Sequence, residues 1–238
     1  MNFDTGDDSI HSKGTLTING GNIIIQSADD AIHAEKTLEI NNGELTITKC
    51  YEGIESQMVT IKGGNIDINA FDDGINAVHP TLGERDTSGS GKVLIKGGKL
   101  KIKASADGID SNGIIQLDNG EVFVESYSGA SETALDHDGE LIVNGGTLIS
   151  VSRLEGADPH GEMKSKIPML AAYVRGTSKT ITLGNISVET GLSNYSLFII
   201  ASDKLEIGDN ILKYDEKDRT IRLFNGVFIY ANPNYRRK

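Results

Sequence analysis

The twelve residues from Thr15 to Gln26 read TLTINGGNIIIQ: two short runs with alternate residues apolar, joined by Asn-Gly-Gly. Leu16, Ile18, Ile23 and Ile25 fall on one face, the period-two signature of half-buried strands. The pattern returns as TLEINNGELTIT at 37–48, MVTIKGGNIDIN at 58–69, KVLIKGGKLKIK at 92–103 and IIQLDNGEVFVE at 114–125. Leu38, Ile40, Leu45 and Ile47, then Val59, Ile61, Ile66 and Ile68, take the inward places. Asn-Gly or Gly-Gly between two strands is also a hairpin signal. A hairpin, however, leaves a third segment of each unit without a partner: a short acidic run that reads FDDGINA at 71–77.

That third segment fixes the period. Its aliphatic residue is Ile10, Ile32, Ile54, Ile75, Ile109 and Leu135, with steps of 22, 22, 21, 34 and 26. The turn glycines Gly21, Gly43, Gly64, Gly98, Gly120 and Gly146 step by 22, 21, 34, 22 and 26. The long step holds an insertion, HPTLGERDTSGSG at 79–91, and the last a shorter one around SGASE. Three short strands in about 22 residues predict an all-β fold, a single-stranded parallel β-helix. Six coils about 4.8 Å apart make a rod of roughly 29 Å. Parallel crossovers are right-handed almost without exception, so a right-handed helix is expected. The repeat occupies residues 1–152. Residues 153–238 begin with a long loop, RLEGADPHGEMKSKIP, followed by irregular strand-like segments, KTITLGNISVET, SLFIIASDKLEI and RTIRLFNGVFIYA. They are expected to cap the same domain, covering its exposed core and strand edge.

Composition narrows the function. In 238 residues, 23 Lys and Arg stand against 34 Asp and Glu, a formal charge of −11, which argues against binding a phosphate backbone. The single Cys50 excludes an intramolecular disulfide framework and any multi-cysteine metal site. No apolar run approaches the roughly 18 residues of a membrane helix, so no membrane insertion is expected. The start, MNFDTGDDS, has neither a basic nor an apolar leader region. A leader and an N-terminal cap are expected to have been trimmed, which leaves end-to-end self-association through the first coil open.

The acids recur at fixed places. Counting from the column isoleucine, position minus two is Asp8, Asp30, Glu52, Asp73 and Asp107, with Thr133 breaking the series. Minus three is Asp7, Asp29, Tyr51, Asp72, Ala106 and Glu132; plus one is His11, His33, Glu55, Asn76, Asp110 and Asp136. Alternation sends plus one and minus three outward and leaves minus two at the bend. Two carboxylates one strand spacing apart repel by about 0.9 kcal/mol in water and about 3.5 kcal/mol at an effective dielectric of 20. Stacked columns of such groups invite a hard cation, and Ca²⁺ accepts six to eight irregular oxygens. The densest cage combines Asp72, Asp73 and Asn76 with Glu52 or Glu55. A second uses Asp107 and Asp110; a third joins Asp7, Asp8, Asp29 and Asp30. His11 and His33 lie in different coils beside hard oxygens and offer little to Zn²⁺. Asp-Gly is also ordinary turn chemistry, and a repeated turn repeats its Asp on that ground alone. A turn does not call for carboxylate or amide at plus one in four coils.

DDAIHAEKTLEINNGELTIT at 29–48, YEGIES at 51–56, VTIKGGNIDINAFDDGINA at 59–77, ADGIDSNGIIQLDNGEVFVES at 106–126 and ALDHDGELIVNGGTLIS at 134–150 carry a resemblance. Together, over Gly6 to about Ser150, they resemble the bacterial β-helix carbohydrate-binding domain family. Its members are secreted or surface proteins, related in fold to pectate lyases and associated with cellulose and polygalacturonate. The resemblance implies a carbohydrate-binding protein outside the cell or on its surface. The Asp72–Asn76 stretch is also similar to the DDGF-D calcium motif of some β-helix pectate lyases, with Asn76 at the place of the final acid. On that similarity Asp72 and Asp73 are Ca²⁺ ligands.

The first functional expectation is a non-catalytic, calcium-binding module for plant cell-wall polysaccharide, cellulose or acidic pectin-type chains. Tyr51 and Tyr127 are its candidate stacking platforms, and His33 and Asp136 its polar sugar contacts. Turn or core packing is the expectation for Phe71. The alternatives are a calcium-dependent pectate-type lyase and a structural spacer or adhesin solenoid. A lyase needs a base beside the metal. Lys92, Lys96, Lys99, Lys101 and Lys103 cluster, but alternating lysines on a strand read as a solvated face, so no catalytic residue is assigned. Paired carboxylates of glycosidase type carry no specificity among stacked acids.

Overall fold

The computed structural model describes residues 1–27, 29–83, 87–129, 132–153 and 161–232. The chain is all-β, without a helix among those residues, and winds as a parallel β-solenoid of about seven turns. One long sheet stacks seven parallel strands: Asn2–Thr5, Asn22–Ser27, Glu44–Lys49, Asn65–Ala70, Lys99–Ala104, Glu121–Ser126 and Thr147–Ser152. Asn2–Thr5 raises the count above the expected six. It pairs in parallel with Asn22–Ser27, with Phe3 beside Ile25.

The second sheet carries two columns of strands. Ile10–Ser12, Ile75–Ala77, Ile109–Ser111 and Leu135–His137 belong to one, and Thr15–Ile18, Lys92–Ile95, Ile114–Leu117 and Glu140–Val143 to the other. In two coils the columns merge into single strands, Ile32–Ile40 and Ile54–Ile61, and the pairing shifts register between Ala34 and Thr37. Three separate strands per coil is therefore not uniform along the rod. The 79–91 insertion leaves the register intact, since Val93 lies beside Val59 on one side and Ile115 on the other.

The alternation predicted from sequence fills the interior: Ile25, Leu38, Ile47, Val59, Ile61, Ile66 and Ile68 are all buried. Leu16 is only partly buried, packing on the core from its first coils. The turn glycines form their own stack. Gly43, Gly64 and Gly98 have φ of 118°, 95° and 88°, and a Cβ on Gly64 would lie 2.7 Å from the Gly43 carbonyl oxygen. Glycine is needed for both the dihedral and the spacing.

The long loop expected at the start of the C-terminal third is in part a strand. Glu162–Ser165 is a strand that pairs in parallel with Glu140–Val143, although EMKS has little strand character. The preceding segment, with His160, lies outside the described residues. Tyr195–Ser202 runs antiparallel against Thr147–Ser152, and Pro168–Gly176 lies beside it. Both strands are buried on two faces. Met169, Ala171, Ile199 and Ala201 complete the solenoid core, while Leu170, Ala172, Phe198 and Ile200 enter a second core under a four-stranded antiparallel sheet.

Candidate metal and polysaccharide site

In each coil the residue just before the column isoleucine is small: Ser9, Ala31, Gly53, Gly74, Gly108 and Ala134. The bend there leaves no room. A Cβ on Gly74 would lie 2.2 Å from Ile102 Cγ2 and 2.5 Å from the Gly108 carbonyl oxygen. The acid at minus two sits on this tight bend, and part of its role is structural. Asp73 Oδ1 accepts the Asp107 amide at 2.8 Å, and the Asp107 carboxylate in turn accepts the Thr133 amide. One oxygen of each thus ties its coil to the next, as turn chemistry requires.

The plus-one residues lie side by side. Strand register sets His11 beside His33, His33 beside Glu55, Glu55 beside Asn76, Asn76 beside Asp110 and Asp110 beside Asp136. Alternation predicts that they face solvent, yet Asn76 is only 5% exposed and Asp110 9%. The acids of the bend stand beside this ladder and wall it into a trough with two clefts. The first, about 610 Å³, is lined by Asp7, Asp8, His11, Asp29, Asp30, His33 and Glu55. The second, about 400 Å³, is lined by Asp72, Asp73, Asn76, Asp107, Asp110 and Glu132. Tyr51 and Glu52 line both.

Burial concentrates the charge problem in three acids. Asp30 is pushed up to about 8 by desolvation, by a proton shared with Glu55, and by the charges of Glu55, Asp8 and Asp29. Glu52 rises to about 9, from desolvation first and then the charges of Asp30 and Glu55. Asp107 rises to about 10 through desolvation, against the Thr133 amide, which holds it down. Such groups stay protonated at neutral pH unless a cation takes the proton's place.

The donors in the second cleft suit a hard cation. Asn76 Nδ2 donates to Glu52 Oε1 at 3.3 Å, but Asn76 Oδ1 and Glu52 Oε2 are buried with no hydrogen-bond partner among the described residues. Two orphaned buried oxygens are a recurring cost of order 1–3 kcal/mol each that a bound cation would remove. The tightest groupings of metal-binding side chains lie elsewhere. Asp8–His11–His33, Asp30–His33–Glu55 and Asp7–Asp8–Asp29 each place three donor atoms within 4.8 Å of one another, all in the first cleft. Spacing in sequence gave the histidines little to do together. Coil stacking brings their rings to 4.7 Å and within 11° of parallel.

The remaining expected contacts divide. Tyr51 is 50% exposed on the rim between the clefts, where its hydroxyl meets Asp72 and its acidity is lowered by that carboxylate. Phe71, against the expectation of turn or core packing, is 62% exposed with Lys49 Nζ 5.7 Å from its ring centre. Tyr127 lines neither cleft: its hydroxyl donates to Glu125 Oε2, and it packs on the second core. Asp136 continues the ladder and accepts the His137 amide at 2.9 Å. Glu132 and His11, absent from the candidates, line the clefts; their places at minus three and plus one were the available signal.

Compared with protein-family models, the chain matches the one for carbohydrate-binding domain-containing proteins over residues 4–84 and again over 52–210. The chain belongs to that family. The two matches overlap across residues 52–84, as befits a model laid along a repeated coil, and together they take in both clefts. The carbohydrate-binding domain thus includes the trough and the strands that cover the end of the solenoid. Neither the curated proteins nor the solved structures compared with it give a match.

Proposed function

We propose that this protein is a non-catalytic, calcium-binding module that holds plant cell-wall polysaccharide, cellulose or acidic pectin-type chains, along the trough. The observation that carries the reading is the orphaned pair, Asn76 Oδ1 and Glu52 Oε2, inside a cleft walled by five further carboxylates, from Asp72, Asp73, Asp107, Asp110 and Glu132. Ca²⁺ among them would neutralise the wall and offer a coordination position to a uronate carboxylate, which lets an acidic protein bind an acidic chain. The exposed rings of Tyr51 and Phe71 supply apolar faces for sugar rings beside that position. Such glycans lie outside the cell, where we place the protein.

Sedimentation with insoluble cellulose and calcium-gelled polygalacturonate, with Ca²⁺ or EDTA, tests the reading. The protein is expected in the pellet with Ca²⁺ and in the supernatant with EDTA for the acidic chain. Thermal unfolding supplies the metal arm. At a hundredfold excess of Ca²⁺ over its dissociation constant the gain is about 2.7 kcal/mol, or roughly 5–10 °C for a chain of this size, and Asn76→Ala should reduce it. Protein left in every supernatant would reduce the solenoid to a spacer. Ultraviolet-absorbing unsaturated product accumulating with time would make it a lyase.

A further inference from the structure

We infer that the first cleft is a separate site for a divalent transition metal of the Zn²⁺ class, held by His11 Nδ1, His33 Nδ1 and Asp8 Oδ2. Asp8 Oδ2 lies 3.3 Å from His11 Nδ1 and 3.4 Å from His33 Nδ1. Those separations exceed the usual 2.7–3.2 Å of an N–H···O bond. They equal the edge of a tetrahedron with metal–ligand bonds of 2.0–2.1 Å, which is about 3.3–3.4 Å. Both imidazoles turn Nδ1 toward one carboxylate oxygen, and since the rings stack 4.7 Å apart and within 11° of parallel, a ring must turn about its χ2 to bring both lone pairs onto one ion.

The surroundings fit the same reading. His33 Nε2 faces Glu55 Oε1 at 3.7 Å. With Nδ1 on the metal, Nε2 carries the proton; the Glu55 carboxylate lies beyond hydrogen-bond reach of it and acts on it through charge alone. Asp30 Oδ2 lies 3.7 Å from His33 Nδ1, and the nearby Asp7 and Asp29 add carboxylates without completing the set. Three protein ligands leave a fourth position open to the cleft, for water or a donor atom of a bound molecule. Imidazole favours Zn²⁺, Ni²⁺ or Cu²⁺ over Ca²⁺, so the plus-one ladder sorts cations along the rod: nitrogen in its first two coils, oxygen in those that follow. The site shares no proposed ligand with the calcium reading of the second cleft.

The test uses untagged protein and Co²⁺ alone as a spectroscopic probe, titrated in the presence of millimolar Ca²⁺. One equivalent is expected to produce the visible absorption of low-coordinate Co²⁺, abolished stoichiometrically by Zn²⁺. His11→Ala and His33→Gln should each weaken Co²⁺ at least tenfold. His11 is a safe position to change, its side chain being 43% exposed. Glu55→Gln should weaken binding less, through loss of its charge beside His33, and Asn76→Ala should leave it unchanged even where it removes the Ca²⁺ response. Displacement of Co²⁺ by Ca²⁺, a weak octahedral spectrum, or wild-type affinity in His11→Ala would overturn the proposal, whatever becomes of the calcium reading.

Discussion

Three carboxyl groups that retain their protons in the fold make stability depend on pH in an unusual direction. Asp30, Glu52 and Asp107 sit at about 8, 9 and 10, whereas an unfolded chain releases those protons near pH 4. Between those limits the native state binds more protons than the unfolded one, so stability falls as pH rises. Metal-free protein should melt at its highest temperature in mild acid, and its midpoint should decline steadily from about pH 5 to pH 9. Calorimetry in EDTA checks this; a midpoint that climbs over that range would contradict the burial of these acids. Ca²⁺ should flatten the slope by replacing the protons. Glu52→Gln removes one group that must take up a proton on folding and gives the orphaned Asn76 Oδ1 a donor to meet. It is expected to raise the metal-free midpoint at pH 8 by about 2–4 °C, roughly 1 kcal/mol, while lowering the Ca²⁺ response. A site that stabilises less when it is empty is the mark of residues kept for binding.

At the scale of the coil, glycine is the residue the architecture cannot exchange. Gly64→Ala would force a Cβ against the Gly43 carbonyl at φ 95°, and a loss of about 1–3 kcal/mol is expected by chemical denaturation. Gly6→Ala, with nothing within 4 Å of the new atom, should stay within about 0.5 kcal/mol of wild type. The same glycines, with alternating Ile and Leu, made the coils legible in sequence, because both turn dihedral and strand period are local properties. Asn2–Thr5 and Glu162–Ser165 were not legible. NFDT and EMKS carry a weak apolar signal, and each becomes a strand because an adjacent coil offers it a ladder of backbone partners. The acid columns could be read from spacing alone. The burial of Asn76 and Asp110 could not, since alternation describes one coil and the wall that covers them comes from its neighbours. The meeting of His11 with His33 is likewise a product of stacking, invisible to a reading that treats each coil by itself.

At the scale of the whole molecule, the question is what stops a stack of identical ladders from growing. Thr147–Ser152 would present an open parallel edge, and the apolar interior of its coil would end in water. Tyr195–Ser202 closes that edge by pairing antiparallel along all six residues of Thr147–Ser152, from Thr147↔Ser202 to Ser152↔Leu197. Its two buried faces join the solenoid core to the second one. The buried Glu125 adds a polar tie between the solenoid and the segment that follows the strand Ile186–Glu189, accepting Thr190 Oγ1 and the Gly191 amide at 2.6 Å each and the Tyr127 hydroxyl at 3.1 Å. Glu125→Ala leaves these donors unmatched, so a loss of about 2–4 kcal/mol is expected by urea denaturation. A chain ending at Arg153 tests the closure directly. It keeps the repeat but loses Met169, Ala171, Ile199 and Ala201 from the core and exposes a six-residue edge. Light scattering after size exclusion should find it in oligomers or aggregates, with strand content retained by circular dichroism. A monodisperse monomer as stable as the full chain would show that the coils end without help, and that the C-terminal strands serve another purpose.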